Sequence, residues 1–290
     1  MLDELRVRAA AMAYVAEKAA DSGGVITRPE LEAFHHEGEQ IKLIDQSRGI
    51  RNPRQLAATL SILSQPRGPY DDVETADGLL RYAYRSGDPD SGDNRKLRRA
   101  FDLRLPLILL RGISAGAFVP VLPVYVVADD PVGRFVEIAV DESLRFLAGS
   151  QPTSDTRAYA ERLTKLRLHQ PVFRARVLQA YERACAICRL KHVDLLDAAH
   201  ILSDSEGGQP VVPNGLSLCK IHHAAYDRGI LGVRPDYVVQ VREDVLAEVD
   251  GPMLKHGIQA VHGWQLQLPS HLADHPDRDL LAKRFAIFSA

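Results

Sequence analysis

The sequence predicts an α+β protein of two domains. Its 290 residues correspond to about two domains at roughly 100–200 residues each. The 46% hydrophobic and 26% charged content is typical of a folded globular chain. A small, polar, proline-bearing segment at 149–155 precedes the part that holds all three cysteines and nine of the eleven histidines. We therefore expect one domain over residues 1–155 and a second over 156–290.

The first domain combines helices with a sheet. Residues 4–20 predict a helix, and Thr27 before Pro29 predicts the N-cap of a second, short one. This pair either forms a helix-turn-helix piece or covers a sheet. Residues 92–104 predict a basic helix. Short apolar runs separated by Gly, Pro and Asp predict strands at Leu107–Leu110, Phe118–Val121, Val124–Val127 and Phe135–Val140. The expected architecture is a partial β-barrel with a helical cap.

The second domain is predicted to be mixed as well. Residues 156–183 favour a basic helix that breaks or restarts near Pro171. Short strands are expected near 197–202 and 212–218, followed by a helix over 220–228. The chain is predicted to end in a short helix over 277–288.

The overall charge of −2 weighs against a nucleic-acid binder, but the charge is unevenly distributed. The stretch 95–111 carries a net +5 and the stretch 157–192 a net +7. No apolar run reaches the roughly 18–20 residues of a membrane span, and the start of the chain does not resemble a signal peptide. With three cysteines, these features predict a cytoplasmic protein without membrane partners or disulfides.

The cysteines form the strongest motif. Cys185 and Cys188 are a CxxC pair, and Cys219 and His222 are a CxxH pair. Two such pairs can close a tetrahedral Zn²⁺ site, so we expect a structural zinc. The plainer alternative is two buried cysteines and an unrelated third.

A second set of residues lies between and beside these pairs. Over residues 172–232 the order CxxC, Ala198-Ala199-His200-Ile201, Asn214-Gly215-Leu216-Ser217-Leu218-Cys219, His222-His223 resembles the HNH, or ββα-metal, nucleases. The resemblance implies phosphodiester hydrolysis with a divalent Mg²⁺ or Mn²⁺ ion. It implies His200 as general base, which suits the ordinary imidazole pKa near 6.5. Asn214 would hold the backbone and His223 the metal; a core histidine and a turn asparagine are the plainer alternatives.

The second metal ligand is left open. HNH enzymes commonly carry a ligand just before the base, where this chain has Ala199. Either Asp197 or Asp227 completes the site. His222 and His223 are also interchangeable by type, and we assign zinc to His222 because it completes the CxxH spacing.

A weaker resemblance covers residues 60–130. The segments that carry it are 68–73, 78–82, 94–98, 106–112 and 125–127. They resemble the SET- and RING-associated (SRA) domain, a PUA-like partial barrel that flips modified cytosine out of DNA. Two positions depart from the family pattern: Gly68-Pro69 replaces a glycine pair, and Tyr82-Ala83-Tyr84 replaces tyrosine-threonine-glycine.

The SRA resemblance implies substrate-binding roles. Tyr70 and Tyr82 would sandwich the flipped base, Asp72 would accept from its amino edge, and the stretch 95–111 would contact phosphate. The alternatives are an acidic turn, a core tyrosine and a solvated helix face.

Together the resemblances imply a modification-dependent restriction endonuclease acting on double-stranded DNA with 5-methyl- or 5-hydroxymethylcytosine. Because one HNH core cuts one strand, a homodimer on DNA is expected. The alternatives are an HNH nuclease that ignores modification and a zinc-containing DNA-binding protein that does not cut.

Overall fold

The computed structural model describes residues 3–65, 73–75, 77–147 and 153–290. Contacts divide the chain into two compact units, Met1–Val172 and Phe173–Ala290. Within the described ranges, no helix is both long and apolar enough to cross a membrane.

Unit 1 is an α+β unit with one large sheet. Its elements are α1 (Glu4–Asp21), β1 (Ile26–Thr27), α2 (Arg28–Glu32), β2 (His35–His36), β3 (Glu39–Gln40), β4 (Ile50–Arg51), β5 (Ser61–Ser64), β6 (Val73–Glu74), β7 (Leu80–Ala83), α3 (Gly92–Asp102), β8 (Pro106–Ser114), β9 (Ala117–Asp130), β10 (Phe135–Ala139) and α4 (Ser154–Thr164). The helices over 4–20 and 92–104 and the strands over 107–140 are confirmed.

The large sheet has eight strands in the order β4-β5-β8-β9-β10-β7-β6, with β1 paired to β9. The β5–β8 pair is parallel and the other pairs are antiparallel. Register shifts interrupt the ladders that the long strand β9 forms with β8 and β10. Such irregularities increase local twist and let a sheet bend.

The sheet curls into a half-barrel, and Tyr82 shows where its two sides meet. Tyr82 lies on β7, yet its hydroxyl donates to the carbonyl oxygens of Gly49 (3.0 Å) and Leu63 (3.2 Å), the latter on β5. The Tyr82 side chain belongs to the hydrophobic core and only 6% of the residue is exposed. Tyr82 thus has a structural role in the sheet, and its predicted stacking on a flipped base stays a prediction.

Helix α1 covers the sheet. The side chains of Val7, Ala11 and Val15 are fully buried in a cluster with Ile108 of β8 and Phe118 of β9. Helix α2 has only five residues, and its capping box is formed by Thr27 and Glu30. Of the two alternatives for the N-terminal helices, the cap over a sheet is the observed one.

The boundary between the units differs from the predicted one. Of the linker predicted at 149–155, residues 149–152 lie outside the described ranges, and Ser154 and Asp155 begin α4. Helix α4, predicted to open the second domain, instead belongs to unit 1: Ala160 is buried in its core, and the Thr164 hydroxyl donates to Gly78 O (2.7 Å). A π-helical turn, Lys165–His169, follows α4. Its wider hydrogen bonding accommodates Pro171, which has no N–H to donate.

Unit 2 contains several small sheets and helices. Its elements are β11 (Leu196–His200), β12 (Gly215–Cys219), α6 (Lys220–Asp227), β13 (Leu231–Val233), β14 (Val239–Val241), α7 (Glu243–Ala247), α8 (Pro252–Gly257) and α9 (Arg278–Phe288), preceded by α5 (Gln170–Ala180). Strands β11 and β12 form an antiparallel hairpin that leads directly into α6. This is the predicted order of strand, strand and helix.

Candidate functional site

A cluster of three cysteines and one histidine brings together three segments of unit 2. Cys185 and Cys188 lie in the turn after α5, Cys219 ends β12, and His222 lies in the first turn of α6. Their ligand atoms all lie within 4.8 Å of one another. The Sγ atoms of Cys188 and Cys219 are 3.9 Å apart, close to the roughly 3.8 Å expected for two thiolates on one tetrahedral Zn²⁺. The donor set fits zinc.

The orientation of the His222 ring also fits a metal ligand. Its Nε2 lies 2.9 Å from Gly257 O. A carbonyl oxygen only accepts, so Nε2 carries the proton in this bond and Nδ1 of the neutral ring keeps its lone pair. That Nδ1 faces Cys219 Sγ (3.2 Å) and Cys185 Sγ (3.5 Å). A backbone carbonyl that fixes the tautomer is a common outer partner of histidine ligands.

Asn214 is fully buried and fixes the backbone after His200. Its Oδ1 accepts from Leu202 N, and its Nδ2 donates to Leu202 O and Gln209 O, each at 2.9 Å. Its own carbonyl accepts from Ile201 N (3.0 Å). His200 is the last residue of β11 and pairs with Gly215 of β12. Three of these hydrogen bonds hold the strand end that carries His200, and the fourth holds the loop at Gln209.

His223 lies between two carboxylates. Its Nδ1 is 3.5 Å from Asp197 Oδ2, and its Nε2 is 3.4 Å from Asp227 Oδ2. Asp227 is four residues after His223 on α6, which places both on one helix face. All three side chains are partly exposed, so solvent and substrate can reach them.

The two carboxylates differ in their other partners. Asp197 also accepts from Lys220 Nζ (3.2 Å), and Arg174 Nε lies 3.9 Å away. Burial opposes ionisation, but Lys220 and His223 outweigh it and hold the pKa of Asp197 below its ordinary value. Asp227 forms its ion pair with His223, and among the described residues no lysine or arginine pairs with it. Asp227 therefore has fewer cationic partners in the protein than Asp197.

The residues expected to read DNA are only partly described. Tyr70 and Asp72 lie outside the described ranges. In the basic stretch, Lys96 Nζ donates to Pro53 O and Arg98 Nε to Asp129 Oδ2 (2.7 Å), so these two side chains hold the fold. Arg95 and Arg99 are exposed on the same helix, α3. For them the predicted phosphate contact stays a prediction.

Three contributions to the site carry no sequence motif. Phe173 stacks on His200, with ring centroids 4.1 Å apart. Arg174 and Lys220 partner Asp197. Lys220 could have been noticed in the sequence because it lies between the two CxxH ligands. Positions 173 and 174 could not, because in a helix they resemble any other core or surface residue.

In unit 2 a hairpin is followed directly by a helix. A histidine lies at the end of the first strand, a buried asparagine lies opposite it, and a further histidine lies on the helix. This arrangement defines a ββα-metal nuclease centre. Residues 185–234 match the profile of the HNH_2 family, described as HNH endonuclease. The chain therefore carries an HNH endonuclease domain and is an enzyme that hydrolyses DNA.

Two solved structures that the chain matches are titled as restriction endonucleases. One is "Modification dependent TagI restriction endonuclease", with 18% identity, a TM-score of 0.29, and coverage of 84% of this chain and 86% of that one. Another is "Structure of the Type IV phosphorothioation-dependent restriction endonuclease ScoMcrA", with 14% identity, a TM-score of 0.24, and coverage of 62% and 51%. No curated protein shows significant sequence similarity to the chain.

Proposed function

We propose that this protein is a modification-dependent DNA endonuclease. Unit 1 recognises 5-methyl- or 5-hydroxymethylcytosine in double-stranded DNA by base flipping, and unit 2 hydrolyses the phosphodiester. The observation that carries the nuclease half is His223 held between Asp197 and Asp227, in the same hairpin-helix unit as the Asn214-fixed end of β11.

Each side chain has one role in the proposed catalysis. His223 and Asp227 would hold a divalent ion, Mg²⁺ or Mn²⁺, which would supply positive charge where negative charge develops on the phosphate. His200 accepts the proton of the attacking water. Asn214 keeps His200 in place through the backbone. Asp197, already paired with Lys220 and Arg174, orients His223 through Nδ1.

A matched pair of variants tests which carboxylate binds the ion. In Asp227→Asn, activity is lost and returns only at raised Mn²⁺ concentration. In Asp197→Asn, the Mg²⁺ dependence stays near that of the wild type while kcat falls. Metal titrations of DNA nicking separate the two. The opposite result, in which Asp197→Asn alone shifts the metal dependence, assigns the ligand to Asp197.

The reader half is supported by polar groups at both ends of the segment that contains Tyr70 and Asp72. Before it, the Ser64 hydroxyl accepts from Arg111 Nη1 (3.4 Å) on β8. After it, Glu74 is 2.7 Å from His169 Nε2. Charged and hydroxyl groups at this place suit contact with a base edge or a phosphate.

The decisive experiment is digestion of matched unmodified, methylated and hydroxymethylated DNA. Cleavage of modified DNA with unmodified DNA spared is expected, and Asp72→Asn removes the difference. Equal cutting of all three DNAs overturns the reader and leaves an HNH nuclease that ignores modification. Undiminished metal-dependent cleavage by His200→Ala overturns the catalytic assignment, and no cleavage of any DNA leaves a zinc-containing DNA-binding protein.

A double-strand break requires two HNH cores, so we propose that two copies act together on DNA. Light scattering with and without modified DNA tests this. A monomer under both conditions that still makes double-strand breaks overturns it.

A further inference from the structure

A cavity of about 400 Å³ lies in unit 2 beside the end of α6, and it shares only Asp227 with the residues assigned a catalytic role above. Asp227 and Arg228 line it where α6 ends. Arg284 and Phe288 line it from α9, and Arg242 lines it from the segment after β14. The lining thus combines three arginines, Asp227, the backbone at Ala290 and an apolar wall.

Arg284 is held in position without being neutralised. Its guanidinium carbon lies 5.1 Å from the ring centroid of Tyr226, and its Nη2 donates to Tyr226 O (3.2 Å). Within the part of the chain that the structure describes, no carboxylate lies within ion-pair distance of Arg284 or of the exposed Arg228. Arg242, by contrast, is paired with Asp244. Two arginines therefore bring positive charge to the cavity without a close ion-pair partner among the described residues, and Glu206 acts on Arg284 only at longer range.

The cavity adjoins the proposed metal site. Asp227 lines the cavity, and the same carboxylate lies 3.4 Å from His223 Nε2. A divalent ion at these two side chains would offset the negative charge of Asp227. The cavity then favours an anion, and it does so next to the point where the scissile phosphate must lie.

We propose that this cavity binds a phosphate of the DNA strand adjacent to the scissile phosphodiester, with Arg228 and Arg284 as the binding residues. This rests on the proposed function, because it takes His223 and Asp227 as the metal site. A planar guanidinium can donate two parallel hydrogen bonds to phosphate oxygens. Such contacts carry no base information and fix the register of the strand. The cavity therefore helps to set which bond reaches the metal.

The test measures DNA binding by the full chain, with Ca²⁺ in place of Mg²⁺ to suppress cleavage. The probes are fluorescently labelled duplexes, fully 5-methylated at cytosine or unmodified. Arg228→Ala and Arg284→Gln are each expected to weaken binding roughly three- to tenfold and to lower the salt slope of log Kd by about one. The larger effect is expected on the unmodified duplex, where the reader contributes least.

The matched control is Arg234→Ala, which removes an exposed arginine of the same unit that is paired with Asp236. It should bind DNA like the wild type. Because Arg228 is exposed and its side chain has no recorded partner among the described residues, Arg228→Ala keeps the test open even if Arg284→Gln fails to fold.

The proposal is overturned if Arg228→Ala keeps the wild-type Kd and salt slope, or if Arg234→Ala loses as much. It is also overturned if the wild type binds neither duplex. Its failure is distinct from that of the proposed function, which His200→Ala tests by cleavage. An inactive His200→Ala with normal binding by Arg228→Ala rejects the cavity alone, whereas an active His200→Ala rejects the catalytic assignment whatever the binding data.

Discussion

The phenyl ring of Phe173 lies nearly parallel to the imidazole of His200, with an interplanar angle of 16°. Gly215, which pairs with His200 across the hairpin, makes room for this ring, because a Cβ on Gly215 would lie 2.9 Å from Phe173 Cζ. Phe173 is itself buried. A fixed aromatic surface thus sets the plane of the proposed general base.

Removing that surface should slow catalysis. We expect Phe173→Leu to lower kcat roughly ten- to a hundredfold with KM nearly unchanged, because the base loses its orientation and not its contact with DNA. The pH–rate profile should shift as well, since the surroundings of the imidazole change. Val177→Ala is the control: it removes another buried side chain beside Gly215 and leaves the stack intact. Equal losses in both variants would show that Phe173 only packs the core.

Replacing Asn214 should disrupt both stability and activity. In Asn214→Asp, a carboxylate oxygen faces the carbonyls of Leu202 and Gln209 that Nδ2 now satisfies. The expected loss is about 2–4 kcal/mol in the free energy of unfolding, together with loss of nicking. Urea unfolding measures the first. Gln209→Ala should match the wild type, because only the backbone carbonyl of Gln209 is used.

Separate variants should remove the structural zinc and the catalytic ion independently of each other. Cys188→Ser is expected to remove bound zinc and to destabilise unit 2, because zinc binding contributes directly to the folding of small metal-binding domains. Asp227→Asn should keep the zinc and lose cleavage. Metal analysis of the purified proteins by mass spectrometry checks this. Zinc retained at the wild-type level in Cys188→Ser would contradict the ligand assignment.

Tyr82→Phe should affect stability and leave DNA discrimination unchanged. The variant loses the hydroxyl bonds to Gly49 and Leu63, at a cost of about 1–2 kcal/mol in the free energy of unfolding. The ratio of cleavage on methylated and unmodified DNA should match that of the wild type. Because phenylalanine keeps the aromatic ring, this variant tests the hydroxyl alone, and a changed ratio with unchanged stability would assign the hydroxyl of Tyr82 to the reader.

Unit 1 should lose stability in acid through Asp141. Burial opposes its ionisation, but hydrogen bonds from Ser143 and the ion pair with Arg167 outweigh it and hold the pKa of Asp141 below its ordinary value. A carboxyl group with a lowered folded-state pKa stabilises the fold above its unfolded pKa, and this contribution is lost as pH falls through the folded value. Stability should therefore decline below about pH 4.

Asp141→Asn should be less stable than the wild type at neutral pH and should decline less steeply in acid. Urea midpoints measured between neutral and acid pH check this. Asp102→Asn, which replaces an exposed carboxylate without an ion pair among the described residues, should leave the curve unchanged. Parallel curves for Asp141→Asn and the wild type would contradict the assignment.

Local patterns predicted much of both units. Helices α1 and α3 and strands β8–β10 follow from apolar runs and their breakers, because these signals act within a few residues. Helix α4 was predicted correctly as a helix, but its place in unit 1 was not. That place depends on Ala160 and Thr164 meeting Gly78, a contact between segments far apart in the chain.

The sequence by itself predicted the groups of the nuclease centre: the Cys3His group stands at spacings typical of zinc ligation, and His200, Asn214 and His223 follow the order found in the HNH nucleases. The tertiary structure decided how the groups around that centre divide their tasks. It pairs Asp197 with Lys220 and leaves Asp227 to His223, it brings Phe173 against His200, and it closes the half-barrel through Tyr82. The physical reason is that ligand spacing is a local property, whereas burial and charge pairing depend on which distant segments fold against each other.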